Sequence, residues 1–411
     1  MIPAVAARYG GPSRAIFEMC RALRAQGVET FIATTDADGG GSLPVVLGER
    51  VDYQGVPAIF FPRQWSEAFK YSRPLANWLN AHVPEFDAVH IHAVFSHACL
   101  AASIACRRAD VPYIVRPLGT LAPWSLSQKP IRKRVMWSAA LRGMMTNAAA
   151  IHYTTVEEKA QVEAWAGLER GVVIPVPLDF NILEAQAPLR FREHQGDIGE
   201  HPYVLALSRL HPVKGLENLL RAFAEVVRKP ELMDWRLILA GEGTPSYEAS
   251  LKRIARDRGV EVNVIFTGWL DTEAKVSALT QAALLASPSH HESFGVSVAE
   301  ALACGVPVLI TPEVNLASEI ERAQAGWVAE LDDLALVGAL EVALQNGDER
   351  ARRGANGRRL ARRFGPSQIS QQLLQLYQDV TKVAQTLVCD SVRPDGQGPH
   401  RLKSLMQPPS G

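Results

Sequence analysis

The feature that most constrains this chain is an alternation: apolar runs of four to eight residues are followed by amphipathic stretches of helical length, from one end nearly to the other. Short apolar runs separated by helical periodicity are what a parallel sheet with crossover helices requires, because its strands are covered on both faces. The chain is therefore expected to be α/β. In the first half, 30–34, 88–92, 113–116 and 151–154 read as strands, 15–24 and 97–109 as helices, and Gly27 stands where a helix C-terminal cap is wanted. In the second half, YVLALSR, WRLILAG, VNVIFTG, ALLASPS and VPVLIT read as strands, with helices over GLENLLRAFAEVVRK and from near Phe294.

The periodicity lapses between Pro177 and Pro202, and 411 residues exceed one ordinary core. Two Rossmann-like domains follow, 1–185 and 186–370, then a C-terminal helix over 371–389 that packs back toward the first domain. Residues 390–411 hold too few apolar side chains to order themselves. One irregularity stands at the start: Gly10 and Gly11 precede a helix, yet only MIPAVAARY lies upstream for the expected first strand. A central strand is predicted to be shortened or missing.

Composition excludes several classes. Forty-three basic residues balance forty-three acidic ones, so no global charge draws the protein to nucleic acid or to an anionic membrane. Cys20, Cys99, Cys106, Cys304 and Cys389 are scattered without CxxC spacing and read as reduced core thiols. No segment has the roughly 18 continuous apolar residues of a membrane span, and the N-terminus lacks signal-peptide order. A cytoplasmic location is expected.

The densest cluster of chemistry is SPSHHESFGVSVAEALACGVPVLIT, from Ser287 to Thr311, between two strands. Ser293 is placed to cap the helix, Gly295 lets a ligand approach the backbone, and free N–H groups at a helix start suit a diphosphate. Glu292 stands at the mouth of this site. Glu300 lies about six residues into the helix, roughly 9 Å along at 1.5 Å per residue, comparable to the distance from a pyrophosphate to a ribose. An isolated pair of glutamates is equally well a helix-dipole partner and a solvated residue. The domain also supplies LALSRLHPVKG, whose Arg209 and Lys214 fall in a strand-to-helix loop; two cations beside a helix N-terminus suit a diphosphate.

Other motifs carry less. Asp36 and Asp38 form a DxD pattern but sit in DADGGGS, a turn-forming loop. Gly241 and Gly243 follow a strand, yet Ser246 replaces the third glycine of a dinucleotide fingerprint, and no GxxxxGK[ST] occurs. Lys129, Arg132, Lys133 and Arg134 form a basic run beside Ile131, Val135, Met136 and Trp137. It reads either as a charged helix face with a buried apolar side or as a peripheral contact with anionic lipid.

Taken in order, GGPSR, HIHAVF, RPLGTLAPW, RLHPVKG, AGEG, FTGWL and ASPSHHESFGVSVAEALACGVPVL resemble the retaining GT4-like glycosyltransferases, glycosyl transferases group 1, over nearly the whole chain. The resemblance implies a GT-B fold, two facing Rossmann domains that close over a nucleotide diphosphate sugar and exclude water, with no metal and no cofactor beyond that co-substrate. It implies that Arg209 and Lys214 hold the diphosphate and offset charge on the leaving group. Glu292 would lie near the donor sugar as a stabiliser, with Ser293, Phe294 and Gly295 beside it. Glu300 would bind the ribose hydroxyls, and Glu319 would lie near the nucleotide. Gly10 and Gly11 would approach the phosphates across the cleft, with Arg14 beside them.

The chain departs from the family at Leu118, close to which many relatives carry a histidine; His92 is the replacement expected to face the cleft, with His90 and His97 behind it, although a buried histidine fits equally well. The expected activity is transfer of a glycosyl group with retention to a saccharide or lipid-linked saccharide acceptor, in cell-surface polysaccharide synthesis. The alternatives are an inactive nucleotide-sugar-binding scaffold and a GT-B epimerase or phosphorylase.

Overall fold

The computed structural model describes residues 1–128, 130–184, 191–192 and 198–391. The expected boundary at residue 185 and the tail from 392 onward lie outside these residues.

In the first domain the strand Ile32–Thr35 pairs in parallel with Val56–Phe61, and Arg50–Tyr53 adds an antiparallel edge. A second sheet runs Val89–His92, Tyr113–Arg116, Ala150–Tyr153 and Gly171–Val173, all parallel. The gap between the two sheets is filled by the chain start. Ile2 N donates to Ala33 O (3.2 Å), Thr35 N to Pro3 O (3.4 Å) and His92 N to Met1 O (2.9 Å). Met1–Ala4 thus stands at the position of the expected central strand. The hairpin Arg50–Tyr53 escapes sequence patterning because its burial alternates between exposed and half-buried, so it has no apolar run.

The second domain is a single parallel sheet in the order Val264–Gly268, Arg236–Ala240, Tyr203–Leu207, Leu284–Ser287, Val308–Ile310, Gly326–Val328. In chain order this is 3-2-1-4-5-6, and the winding direction reverses between Tyr203–Leu207 and Leu284–Ser287. In such sheets the crevice outside the carboxyl ends at the reversal is where ligands bind. Where they pair the two strands are apolar and buried, Val204 and Leu205 against Leu284 and Leu285, so their positions are fixed by the core.

The helix Pro366–Ser391 is continuous, so the expected division at 370/371 falls inside it. Its Ile369, Leu373, Leu376 and Val380 pack on Met19, Leu23, Ile114, Ala150 and Ile174 of the first domain. Cys20, Cys99, Cys106 and Cys304 are buried free thiols. Among the described residues no helix is long and apolar enough to cross a membrane.

Candidate functional site

The two loops that leave the strands at the reversal carry the charges. After Tyr203–Leu207 the chain passes Arg209, then turns through Pro212–Lys214, where His211 Nδ1 accepts from Val213 N (3.2 Å). Gly215 follows in the left-handed conformation (φ 62°), and a Cβ there would stand 2.0 Å from the Pro288 carbonyl. Only glycine lets the two loops touch, and that contact brings Lys214 to Glu292. Their side chains form an ion pair. The second loop is held by its own backbone: His290 N donates to Val213 O (2.8 Å), Glu292 N to Glu313 O (3.1 Å) and Asn315 N to Glu292 O (2.9 Å).

Burial alone would push the Glu292 carboxyl up, but Lys214, with His291 and Arg209 nearby, holds it below its ordinary range. Glu292 is therefore an anion poised between cations. The helix that follows is Val296–Ala303, beginning two residues later than expected, with Gly295 (φ 75°) as its N-cap. Ser293 does not cap it. No side chain does, because the left-handed Gly295 already turns the backbone into the helix; the Ser293 carbonyl instead accepts from Asn315 Nδ2 (3.2 Å). The first-turn N–H groups have no intrahelical acceptor.

Phe294, expected beside the donor, has its ring 3% exposed and packed edge-on against Phe364 at 5.3 Å. It anchors the loop in the core and lines a pocket with Thr154, Glu319 and Phe364. Glu300 lies one turn into the helix, ~6 Å along its axis rather than the 9 Å expected. Its Oε1 receives Lys275 Nζ at 2.5 Å and Arg14 Nη1 at 3.3 Å, the latter from the opposite domain. Glu319 lies on the helix Ala317–Ala323 and pairs with Arg363 at 2.8 Å; burial raises its carboxyl pKa.

The first domain closes over this loop. Gly10 (φ 75°) caps the helix Gly11–Arg24 and faces Arg209, whose Cδ and Nε would lie 3.7 Å from a Cβ there; Gly11 faces Val296. Gly119 lies against Ser293 and His291, with Leu118 beside it in the left-handed region (φ 57°). Glu158, fully buried, accepts from Gly119 N (2.7 Å) and Thr154 N (2.8 Å), and the Thr154 hydroxyl is 2.8 Å from Glu158 Oε2 and 3.2 Å from the Ser293 carbonyl. One buried carboxylate therefore organises the wall that meets the glutamate loop.

His92 is not at the cleft. It is 3% exposed and stacked on His90 at 4.5 Å. Burial, then His90 and Arg116, drives its pKa well below the ordinary histidine range. Its strand end is roofed by the loop Ala93–Ser96 and by Cys99, whose Sγ lies 3.3 Å from the His92 carbonyl. His90 reaches the Tyr377 hydroxyl (2.9 Å), and His97 packs on Tyr71 at 4.3 Å.

Two residues near the site were not visible from the sequence. His291, next to Glu292, crosses to the first domain and lies face-on to Trp124 at 6.4 Å and 17°; its Nε2 is buried beside Gly119 without a well-aligned hydrogen bond. Lys275, on Thr272–Thr280, is buried against Glu300. The pair HH in SPSHHE was the only signal for the former, and a lysine on an otherwise apolar helix face gave none for the latter. Asp36 Oδ1 accepts from Arg63 N (2.7 Å) and Asp38 pairs with Arg8 (2.7 Å), so both DxD carboxylates are engaged by residues from outside their loop. Among the described residues no group of three metal-ligating side chains converges.

These features find counterparts in known proteins. Residues 10–179 match the family model described as glycosyl transferase 4-like domain, and residues 190–360 that described as glycosyl transferases group 1. The chain is 29% identical over 402 residues to a D-inositol 3-phosphate glycosyltransferase of Xylanimonas cellulosilytica, covering 91% of this chain and 92% of the relative. It is 32% identical over 158 residues, 37% of this chain and 40% of the relative, to a GDP-mannose-dependent alpha-(1-6)-phosphatidylinositol monomannoside mannosyltransferase of Mycolicibacterium smegmatis. The crystal structure of Anabaena HepE in complex with UDP-glucose superposes with a TM-score of 0.74 at 20% identity, over 92% of this chain and 98% of that one. With two domains meeting at these loops and both halves matched, the protein is a glycosyltransferase of the GT-B fold and belongs to the group 1, GT4-like family.

Proposed function

We propose that the chain is a retaining, metal-independent enzyme that transfers a hexosyl group from a nucleotide diphosphate sugar to a saccharide or lipid-linked saccharide acceptor in cell-surface polysaccharide synthesis. The observation that carries this reading is the convergence of Lys214, Arg209, Glu292 and the uncapped start of Val296–Ala303 at the sheet's reversal point. A diphosphate seated there meets two cations and a row of N–H donors, which would stabilise the charge that builds on it as the glycosidic bond breaks. That is the work a divalent metal would otherwise do. Lys214 exchanges its pairing with Glu292 for a phosphate oxygen, and Glu292 is left as a carboxylate beside the sugar. In a same-face attack the leaving phosphate takes the acceptor proton, so no protein nucleophile is required, and Glu292 acts as a stabiliser. Gly10 and Gly11 allow the first domain to approach without side chains intervening.

Support for an acceptor presented at a membrane, and for a cytoplasmic enzyme working at its inner face, comes from the helix Pro130–Met136. Ile131 and Val135 stand on one face at 80% and 62% exposure, with Arg132 and Arg134 exposed beside them. Lys133 is not part of this patch: it folds back to Ser125 Oγ (3.1 Å) and over the Phe95 ring. Lys129 lies outside the described residues.

The test is a thermal-shift panel of nucleotide sugars, followed by turnover of the best binder with a cell-envelope extract in the presence of a chelator. Product formation with the donor's anomeric configuration, unaffected by chelation, is expected. Loss of turnover on chelation, or an inverted product by NMR, would overturn the mechanism; binding without turnover would favour a scaffold.

A further inference from the structure

Glu300 is gripped on one oxygen only. Lys275 Nζ and Arg14 Nη1 both address Oε1, at 2.5 and 3.3 Å, and among the described residues no protein donor reaches Oε2. The Lys275 side chain is 9% exposed and that of Glu300 7%, so the pair is largely buried. Burying a lysine on a helix face shared with Val276 and Leu279 is unfavourable unless it is paired, and an apolar residue would fill the same place without that cost. Glu300 borders a crevice between the domains, with Arg14, Ala15 and Val296 on its walls.

We propose that Lys275 is a positioning residue for donor recognition: by fixing Oε1 it turns Oε2 toward the crevice as an acceptor for the vicinal hydroxyls of the donor's ribose, and Arg14 adds its hold when the domains meet. This rests on the donor reading above. A carboxylate oxygen offers two lone-pair directions, enough for both hydroxyls of a cis-diol. A lone flexible glutamate would accept the same bonds only after losing rotamer freedom on binding. Lys275 removes that freedom beforehand. Arg14, 33% exposed and on the helix Gly11–Arg24 of the other domain, makes the grip sensitive to closure.

The experiment measures, by calorimetry on the full chain, the affinities of UDP and GDP and of their 2′-deoxy counterparts. The wild type should prefer the ribonucleotide by about tenfold or more, the effect of one lost hydrogen bond to a charged acceptor. Lys275→Met should bring that ratio to within about threefold of unity, and Lys275→Arg should recover part of it. Arg14→Gln, at a partly exposed position, should lower the ratio by a smaller factor without altering the melting temperature, and carries the test if Lys275→Met does not fold. A wild-type ratio in Lys275→Met, or in Arg14→Gln when that is the variant available, would reduce the pair to packing and overturn the inference. Absence of any ribose preference in the wild type, with Glu300→Gln binding UDP and GDP normally, would instead remove the donor reading beneath it.

Discussion

The two halves of this molecule present similar parallel sheets with polar residues at the carboxyl ends of their strands, and they treat those residues oppositely. In the second domain the strand ends open into loops held by backbone contacts, so Arg209, Lys214 and Glu292 stand at the crevice. In the first domain the equivalent positions are His92 and Arg116, at 3% and 1% exposure, and they are sealed inside. What separates them is what lies above. The loop Ala93–Ser96 and Cys99 close over His92, and the C-terminal helix Pro366–Ser391 brings Tyr377 to His90, whereas the opposing domain covers the second sheet's reversal point. Covering decides whether a polar strand end becomes a ligand site or part of the core.

The buried side of this contrast has a definite proton arrangement. His152 Nε2 lies 2.7 Å from the Ile174 carbonyl and must donate to it; its Nδ1 then accepts from His90 Nε2 (3.2 Å), and His90 Nδ1 accepts from the Tyr377 hydroxyl (2.9 Å). Every nitrogen is used with both rings neutral. A further proton on His152 would set its Nδ1 N–H against that of His90 Nε2, beside the Arg116 guanidinium.

The sharpest way to break the comparison is at Lys214. Lys214→Ala should lower kcat/KM by about 10²–10³, the cost of removing one preorganised partner of a developing anion, with the fold retained. Steady-state kinetics and circular dichroism check this together. The next effect belongs to the other half. Burial holds the His152 pKa at about 3 against an ordinary 6.5. A histidine kept neutral in the fold binds protons more readily when unfolded. Its contribution is therefore intact above about pH 6.5 and is lost as pH falls toward 3, reaching about 2.5–3 kcal/mol near pH 4.5. Urea unfolding across this range should show it, and a pH-independent midpoint between 6.5 and 4.5 would contradict the neutral chain. Smaller still, replacing Arg132 and Arg134 by Gln should weaken binding to anionic vesicles by about 1 kcal/mol per charge, an effect that vanishes in high salt. The smallest is His92→Gln, which should leave donor affinity within about threefold of the wild type, since the ring never meets the crevice.

How much of this was legible in the sequence follows the same division. The second domain could be read nearly strand by strand, because its apolar runs are buried on both faces, and the loop motifs that carry its charges are contiguous. The first domain was harder. The hairpin Arg50–Tyr53 has no apolar signature, and Met1–Ala4 stands at the position of the central strand. At the site, Glu292 and Lys214 meet because Gly215 permits an approach to Pro288 that no local pattern reports. His92 was assigned to the cleft from its place at a strand end, which gives direction along the strand but says nothing of the loop Ala93–Ser96 and Cys99 that cover it. Lys275 and His291 were missed for the converse reason: each acts through a partner remote in sequence, Glu300 in one case and Gly119 in the other.

The central claim is that the charged loops of the second domain, not the polar interior of the first, hold the donor. Titrating UDP and GDP into wild type, Lys214→Ala, Glu300→Gln and His92→Gln by calorimetry tests it most directly. The account predicts that the first two variants lose about tenfold or more in affinity, in the range of a lost hydrogen bond to a charged group, while His92→Gln binds as the wild type does. Unchanged affinity in Lys214→Ala and Glu300→Gln, with binding lost in His92→Gln, would contradict it.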